Sequence, residues 1–211
     1  MPAAEVQALI RNERARLVEA LEPLSPDQWR TTSRCPRWSV EDVVAHLSAA
    51  ASTGTLAWIA SIARARFDQD KHNDRLVARH RGATPAETLA TFRALVPSRT
   101  AAAGAHVAML GEVVVHSQDI VRPLGIELVP SPAALLEVAE FFAAKDFAVN
   151  SRTLVRDLSL EADDAPFAVG SGPAVRGGLL ALTLAMAGRA EACAELSGPG
   201  VRELSRRIAQ S

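Results

Sequence analysis

Tyrosine is absent from this chain, and aromatic residues make up only 4% of it. Stacking platforms for nucleic-acid bases are therefore scarce. A basic surplus is missing too. There are 23 Lys and Arg against 24 Asp and Glu, a formal net charge of −1. That balance argues against a nucleic-acid partner, whose binders carry a basic excess or stripe. Short basic clusters such as "ARARF" and "RLVARHR" read as solvated helix faces. Only two cysteines occur, Cys35 and Cys193, in no CxxC spacing. This excludes a disulfide framework and suits a reducing cytoplasm. No run is apolar and long enough to span a bilayer, and the opening "MPAAEVQALIRNERARLVEAL" carries charge through every turn, unlike a signal peptide. The reading is a cytoplasmic protein with neither membrane nor nucleic acid as partner, a monomer or homodimer.

What is present is helix signal. Val6, Leu9, Ile10, Leu17, Leu21 and Leu24 recur near helical spacing. Ser25, Pro26 and Gln28 make a helix start with a capping box, and Ser39 with Asp42 makes a variant of it. Thr84, Pro85 and Glu87 repeat the signal, as do Ser131 and Pro132, while Pro123 and Gly125 close a long segment. Long amphipathic segments with short breaks predict a mainly α protein, an antiparallel helix bundle over residues 1–149. From Asn150 the pattern changes. Leu158 and Leu160 alternate with polar residues, "GSGP" marks turns, and "SGPGVRELSRRIA" reads as a closing helix. This predicts a small C-terminal α+β appendage over 150–211. "GSGPAVRGG" lacks the strand and helix context of a dinucleotide loop.

The stretch "GEVVVHSQDI" brackets three valines with Glu112 and His116. Neither belongs in a core without a partner, because burying an unpaired polar group is costly. Both periodicities put the two residues on one face. In a helix their side chains stand roughly 5–6 Å apart; in a strand about 13 Å, at roughly 3.3 Å per residue. Only the helix lets both bind one small ion. His46 lies beside Leu47 on another apolar face. Helix bundles build metal sites from side chains on facing helices. Two histidines and a carboxylate suit zinc or a similar divalent metal, with one coordination position left over. The alternative is a Glu112–His116 ion pair with His46 merely hydrogen-bonded.

Asp119 and Asp42 are candidates for orienting the histidines by hydrogen bonds, although Asp42 also occupies a capping position. His106 reads as a surface residue and Cys35 as a packed, inert thiol. Trp38 and Trp58 read as core or pocket wall.

The segments "LSPDQW", "CPRWSVEDVVAHL" and "GEVVVHSQDIVRPLG" resemble the mycothiol-dependent maleylpyruvate isomerase family, within the DinB-like metalloprotein superfamily. The tail "AVRGGLLALTLAMAGRAEACAELSGPGVREL" also looks like that family's C-terminal domain. The resemblance implies a DinB-like four-helix bundle and zinc held at His46, Glu112 and His116. It further implies mycothiol as co-substrate and thiol-dependent isomerisation or S-transfer on a small electrophile. Asn73 matches an asparagine of the family's corresponding segment and becomes a candidate pocket residue. A metal- or ligand-binding sensor on the same bundle is the alternative function.

Overall fold

Capping chemistry sets where the first helices begin. In a computed structural model describing residues 1–54, 69–101, 104–147 and 149–211, α1 runs Ala3–Leu21 and α2 Pro26–Arg30. Ser25 accepts from the Gln28 amide while the Gln28 side chain accepts from the Ser25 amide, a complete capping box. Helix α3, Val40–Ser52, starts in the same way from Ser39 and Asp42. Then follow α4 (Gln69–His80), α5 (Pro85–Ala94, capped by Thr84) and α6 (His106–Val121). A single 3-10 turn extends α6, and Gly125, at φ 66°, stops it. Only glycine takes this left-handed conformation without steric cost. The "ARARF" cluster and Trp58 lie outside the described residues.

The contacts divide the chain into two compact units, Met1–Val129 and Pro130–Ser211. In the first, α6 packs against α1 and α3, and α3 also packs on α4 and α5. Its core is built from Val6, Ile10, Leu17 and Leu21 of α1, Val43, Val44 and Leu47 of α3, and Leu110, Val113, Val114 and Ile120 of α6. Buried Glu41 joins three elements, accepting from Arg81 at 2.8 Å and from Thr88 at 2.9 Å. Arg81 also reaches Asp42, at 2.8 Å.

The second unit holds α7 (Pro132–Ala144), the short α8 (Ser151–Leu154), a three-stranded sheet, α9 (Leu179–Met186) and α10 (Val201–Ile208). Strand β1 (Ser159–Ala162) is central, antiparallel to β2 (Ala168–Gly170) and parallel to β3 (Ala174–Gly177). Leu160 pairs with Val169 on one side and Val175 on the other. Leu158 and Leu160 are both buried, as their alternation predicts. The sequence places the division at 149/150. The contacts place it after Val129, because α7 packs on α9 and α8. The architecture is thus mainly helical, with a small C-terminal sheet.

Candidate metal centre

Helix α6 is buried almost all round. From Ala108 to Val121 every residue is buried except Glu112 and His116. The three valines fit this surrounding: all three are buried, on a helix that packs against both α1 and α3. Helix α3 repeats the pattern. From Val40 to Ala49 only Asp42 and His46 are partly exposed. Each helix therefore shows solvent a single stripe, and each stripe carries an imidazole.

The stripes meet. His46 Nε2 and His116 Nε2 each lie 3.3 Å from Glu112 Oε2, and the two imidazole rings stand edge to face with centroids 4.9 Å apart. The three donor atoms all lie within 4.8 Å of one another. His116 Nδ1 is 2.8 Å from Oδ2 of the buried Asp119, which is 1% exposed. Asp119 therefore accepts the Nδ1 proton and leaves Nε2 of a neutral His116 as a lone pair facing the Glu112 carboxylate. Two acceptors turned toward each other repel unless a cation or a proton lies between them.

The distances bear on which it is. Charge-assisted N–H···O bonds run about 2.7–2.9 Å, the range of the His116–Asp119 contact. The two 3.3 Å separations are longer. Ligand atoms about 2.0–2.1 Å from a tetrahedral ion stand roughly 3.4 Å apart. The donor set of two imidazoles and a carboxylate thus fits a divalent metal in kind and in spacing. With a proton in that place instead, the site is a charged network. Burial works against its charges, yet the hydrogen bonds and charges of His116 and His46 hold the Glu112 carboxylate well below its usual range. Burial likewise opposes charge on His116, but Asp119, Cys35 and Glu112 together raise it well above an ordinary histidine.

The loop between α2 and α3 covers the outer faces of both histidines. Trp38 lies against His46, ring centroids 5.0 Å apart, and its Nε1–H donates to Asp74 on α4 at 3.2 Å. Among the described residues His46 Nδ1 is buried with no hydrogen-bond partner, and the Trp38 ring packs against the imidazole there. On the other side Cys35 Sγ lies 3.4 Å from Asp119 Oδ2 and 3.8 Å from His116 Nδ1.

Of the residues expected from sequence, the structure brings together His46, Glu112, His116, Asp119 and Trp38. Asp42 serves elsewhere: it caps α3 and pairs with Arg81. Asn73 is partly exposed on α4, next to Asp74. His106 opens α6 half-buried rather than on the surface. Cys35, read from sequence as a packed, inert thiol, lies against the His116–Asp119 pair. Its one signal is its place in the "CPRW" segment just ahead of the first motif.

This fold and this cluster define a DinB-like helical protein with a candidate metal triad. Residues 10–108 match the sequence model of the mycothiol maleylpyruvate isomerase N-terminal domain. The match covers 99 of the 211 residues, all within the N-terminal unit. A crystal structure described as the mycothiol-dependent maleylpyruvate isomerase is similar over 94% of this chain and 93% of that one, with 15% identity and a TM-score of 0.64. The crystal structure of a histidine-to-alanine mutant of that isomerase matches with the same coverage, 14% identity and a TM-score of 0.61. These likenesses show a shared fold. No functionally curated protein matches the sequence. Among the described residues no helix is long and apolar enough to cross a membrane.

Proposed function

We propose that this protein is a metal-dependent enzyme that activates a low-molecular-weight thiol for isomerisation or S-transfer on a small electrophile. Mycothiol is the thiol the family points to. The observation that carries the reading is the convergence of three acceptor atoms, two from α6 and one from α3, at separations suited to one ion. His46, Glu112 and His116 would hold the ion, most simply zinc. When bound, such an ion promotes loss of the proton from a thiol, whose free pKa is near 8.5. Three protein donors leave a tetrahedral ion one coordination position for a small molecule.

The chain's own residues supply the rest. Asp119 holds the Nδ1 proton of His116, which fixes the tautomer and aims Nε2 at the site. Trp38 packs on the His46 ring and shields that face from water. Val113, Val114 and Val115 pack α6 so that Glu112 and His116 cannot turn away. The substrate would reach the site from the side where, among the described residues, both stripes meet solvent.

Protein purified without a histidine tag should carry stoichiometric divalent metal. It should also convert model electrophiles at a rate that depends on added mycothiol, and His46→Ala should abolish both. Absence of metal from the wild-type protein would sink the reading. Metal without any thiol-dependent rate would favour a sensor on the same bundle.

A further inference from the structure

The loop from Ser33 to Trp38 is short but heavily pinned. Thr32 and Ser39 bridge its ends. The Ser33 amide donates to the Trp38 carbonyl at 3.0 Å, and the Trp38 amide to the Cys35 carbonyl at 2.8 Å. Ser33 Oγ accepts from the Cys35 amide at 3.0 Å and donates to the Trp38 carbonyl at 2.8 Å. The Arg34 amide donates to the carbonyl of Asp119 itself, at 2.9 Å. The loop backbone is therefore fastened to the same turn of α6 that carries the His116 partner. Its two inward side chains, Cys35 and Trp38, back the two histidines.

We infer that Cys35 is a positioning residue for His116. Its S–H donates to Asp119 Oδ2, the atom that accepts the His116 Nδ1–H, and so holds that carboxylate in register with the ring. The inference rests on the reading that His46, Glu112 and His116 hold a divalent ion. Cys35 is not itself a donor to that ion, because its sulfur lies on the Nδ1 edge of the ring, opposite the Nε2 edge that faces Glu112. Cys35, His116 and Asp119 do cluster closely enough to suggest an ion of their own. The 2.8 Å separation of Nδ1 and Oδ2 speaks against it, since that gap fits a shared proton, while donors on one ion stand roughly 3.4 Å apart. An S–H is a weak donor, so the contribution lies in fixing a carboxylate that is already placed, not in supplying charge.

The test is a zinc titration against a chromophoric chelator, using protein first stripped of metal and checked for folding by circular dichroism. Cys35→Ala removes the donor, Cys35→Val removes it while leaving no space empty, and Cys35→Ser keeps a donor. Loss of the donor should weaken zinc by about tenfold, the low end of what an outer partner is worth, and serine should restore most of it. The visible spectrum of the cobalt-loaded protein should shift in the alanine and valine variants, return in serine, and show no thiolate-to-cobalt band in the wild type. If wild type binds zinc and the alanine and valine variants match it in affinity and spectrum, the positioning role is overturned and the metal reading stands. A thiolate band, or a second zinc lost in the variants, would overturn the role in favour of direct ligation. A wild type that binds no zinc overturns both.

Discussion

Asp119→Asn isolates what a buried carboxylate does for the site without changing its shape. In the wild type Asp119 is 1% exposed and its Oδ2 lies 2.8 Å from His116 Nδ1. Hydrogen bonds to a charged group are worth about 1.5–3 kcal/mol. Removing an outer partner of a metal-bound histidine typically weakens metal binding about 10- to 100-fold, which is about 1.4–2.8 kcal/mol. The two ranges overlap, and the variant should lose zinc affinity within them. Asparagine can still accept the Nδ1 proton through its carbonyl, which sets the lower end. If its amide instead turns toward the ring, the proton moves to Nε2 and His116 leaves the donor set, which sets the upper end. The chelator titration gives the affinity. Nitrogen chemical shifts of the metal-stripped protein give the second readout, because losing the carboxylate should lower the pKa of His116 relative to wild type. Zinc affinity within twofold of wild type, with an unmoved His116 titration, would refute the tautomer argument.

Replacing a donor should cost more than replacing its support: Glu112→Gln and His116→Ala should each lose stoichiometric zinc by elemental analysis while keeping helical circular dichroism. The pH dependence of the metal-stripped protein has a defined sign. His116 is raised in the fold, so its contribution is complete below its unfolded value near 6.5 and fades as pH rises through the higher folded value. Glu112 is lowered, so its contribution holds above an unfolded value near 4.3 and fades as pH falls toward the folded one. Thermal melts of stripped protein should therefore weaken on going alkaline, while zinc affinity should rise, because the donors must be deprotonated. Ser39→Ala removes half of a complete capping box and should lower stability by about 1 kcal/mol in a denaturant titration. Gly172 sits at φ 125°, and a Cβ there would stand 2.2 Å from the Asp157 carbonyl. Gly172→Ala should lower the melting temperature by more than Ser39→Ala does.

Much of the first unit was legible in sequence because its signals are local. The Ser25–Gln28 and Ser39–Asp42 boxes formed as read, since a cap and its partner lie three residues apart. The strand-like valines needed a further step: they sit within a longer helical run, the one-turn spacing of Glu112 and His116 suits a helix, and the segment is helical. That His46 faces them is a fact of packing across 66 residues. Periodicity could put it on an apolar face but not opposite a particular glutamate; the family motifs supplied that link. Cys35 had no such help. Its neighbours lie 81 and 84 residues away, and a lone cysteine in a loop shows nothing of the carboxylate it touches. Asp42 shows the converse, because a residue four before a histidine can serve as its support or as a cap. Here the amide of Ser39 and the guanidinium of Arg81 decided it.

The donors come from two helices whose contributions are far apart in the chain, His46 on α3 and Glu112 with His116 on α6. An ion held among them would be a cross-link present only in the native state. Ligand at a hundredfold its dissociation constant stabilises a native state by about 2.7 kcal/mol, a sizeable part of what holds a domain together. The abundance of this protein in a growing cell would then follow the supply of metal, through turnover by proteases, before any change in its synthesis.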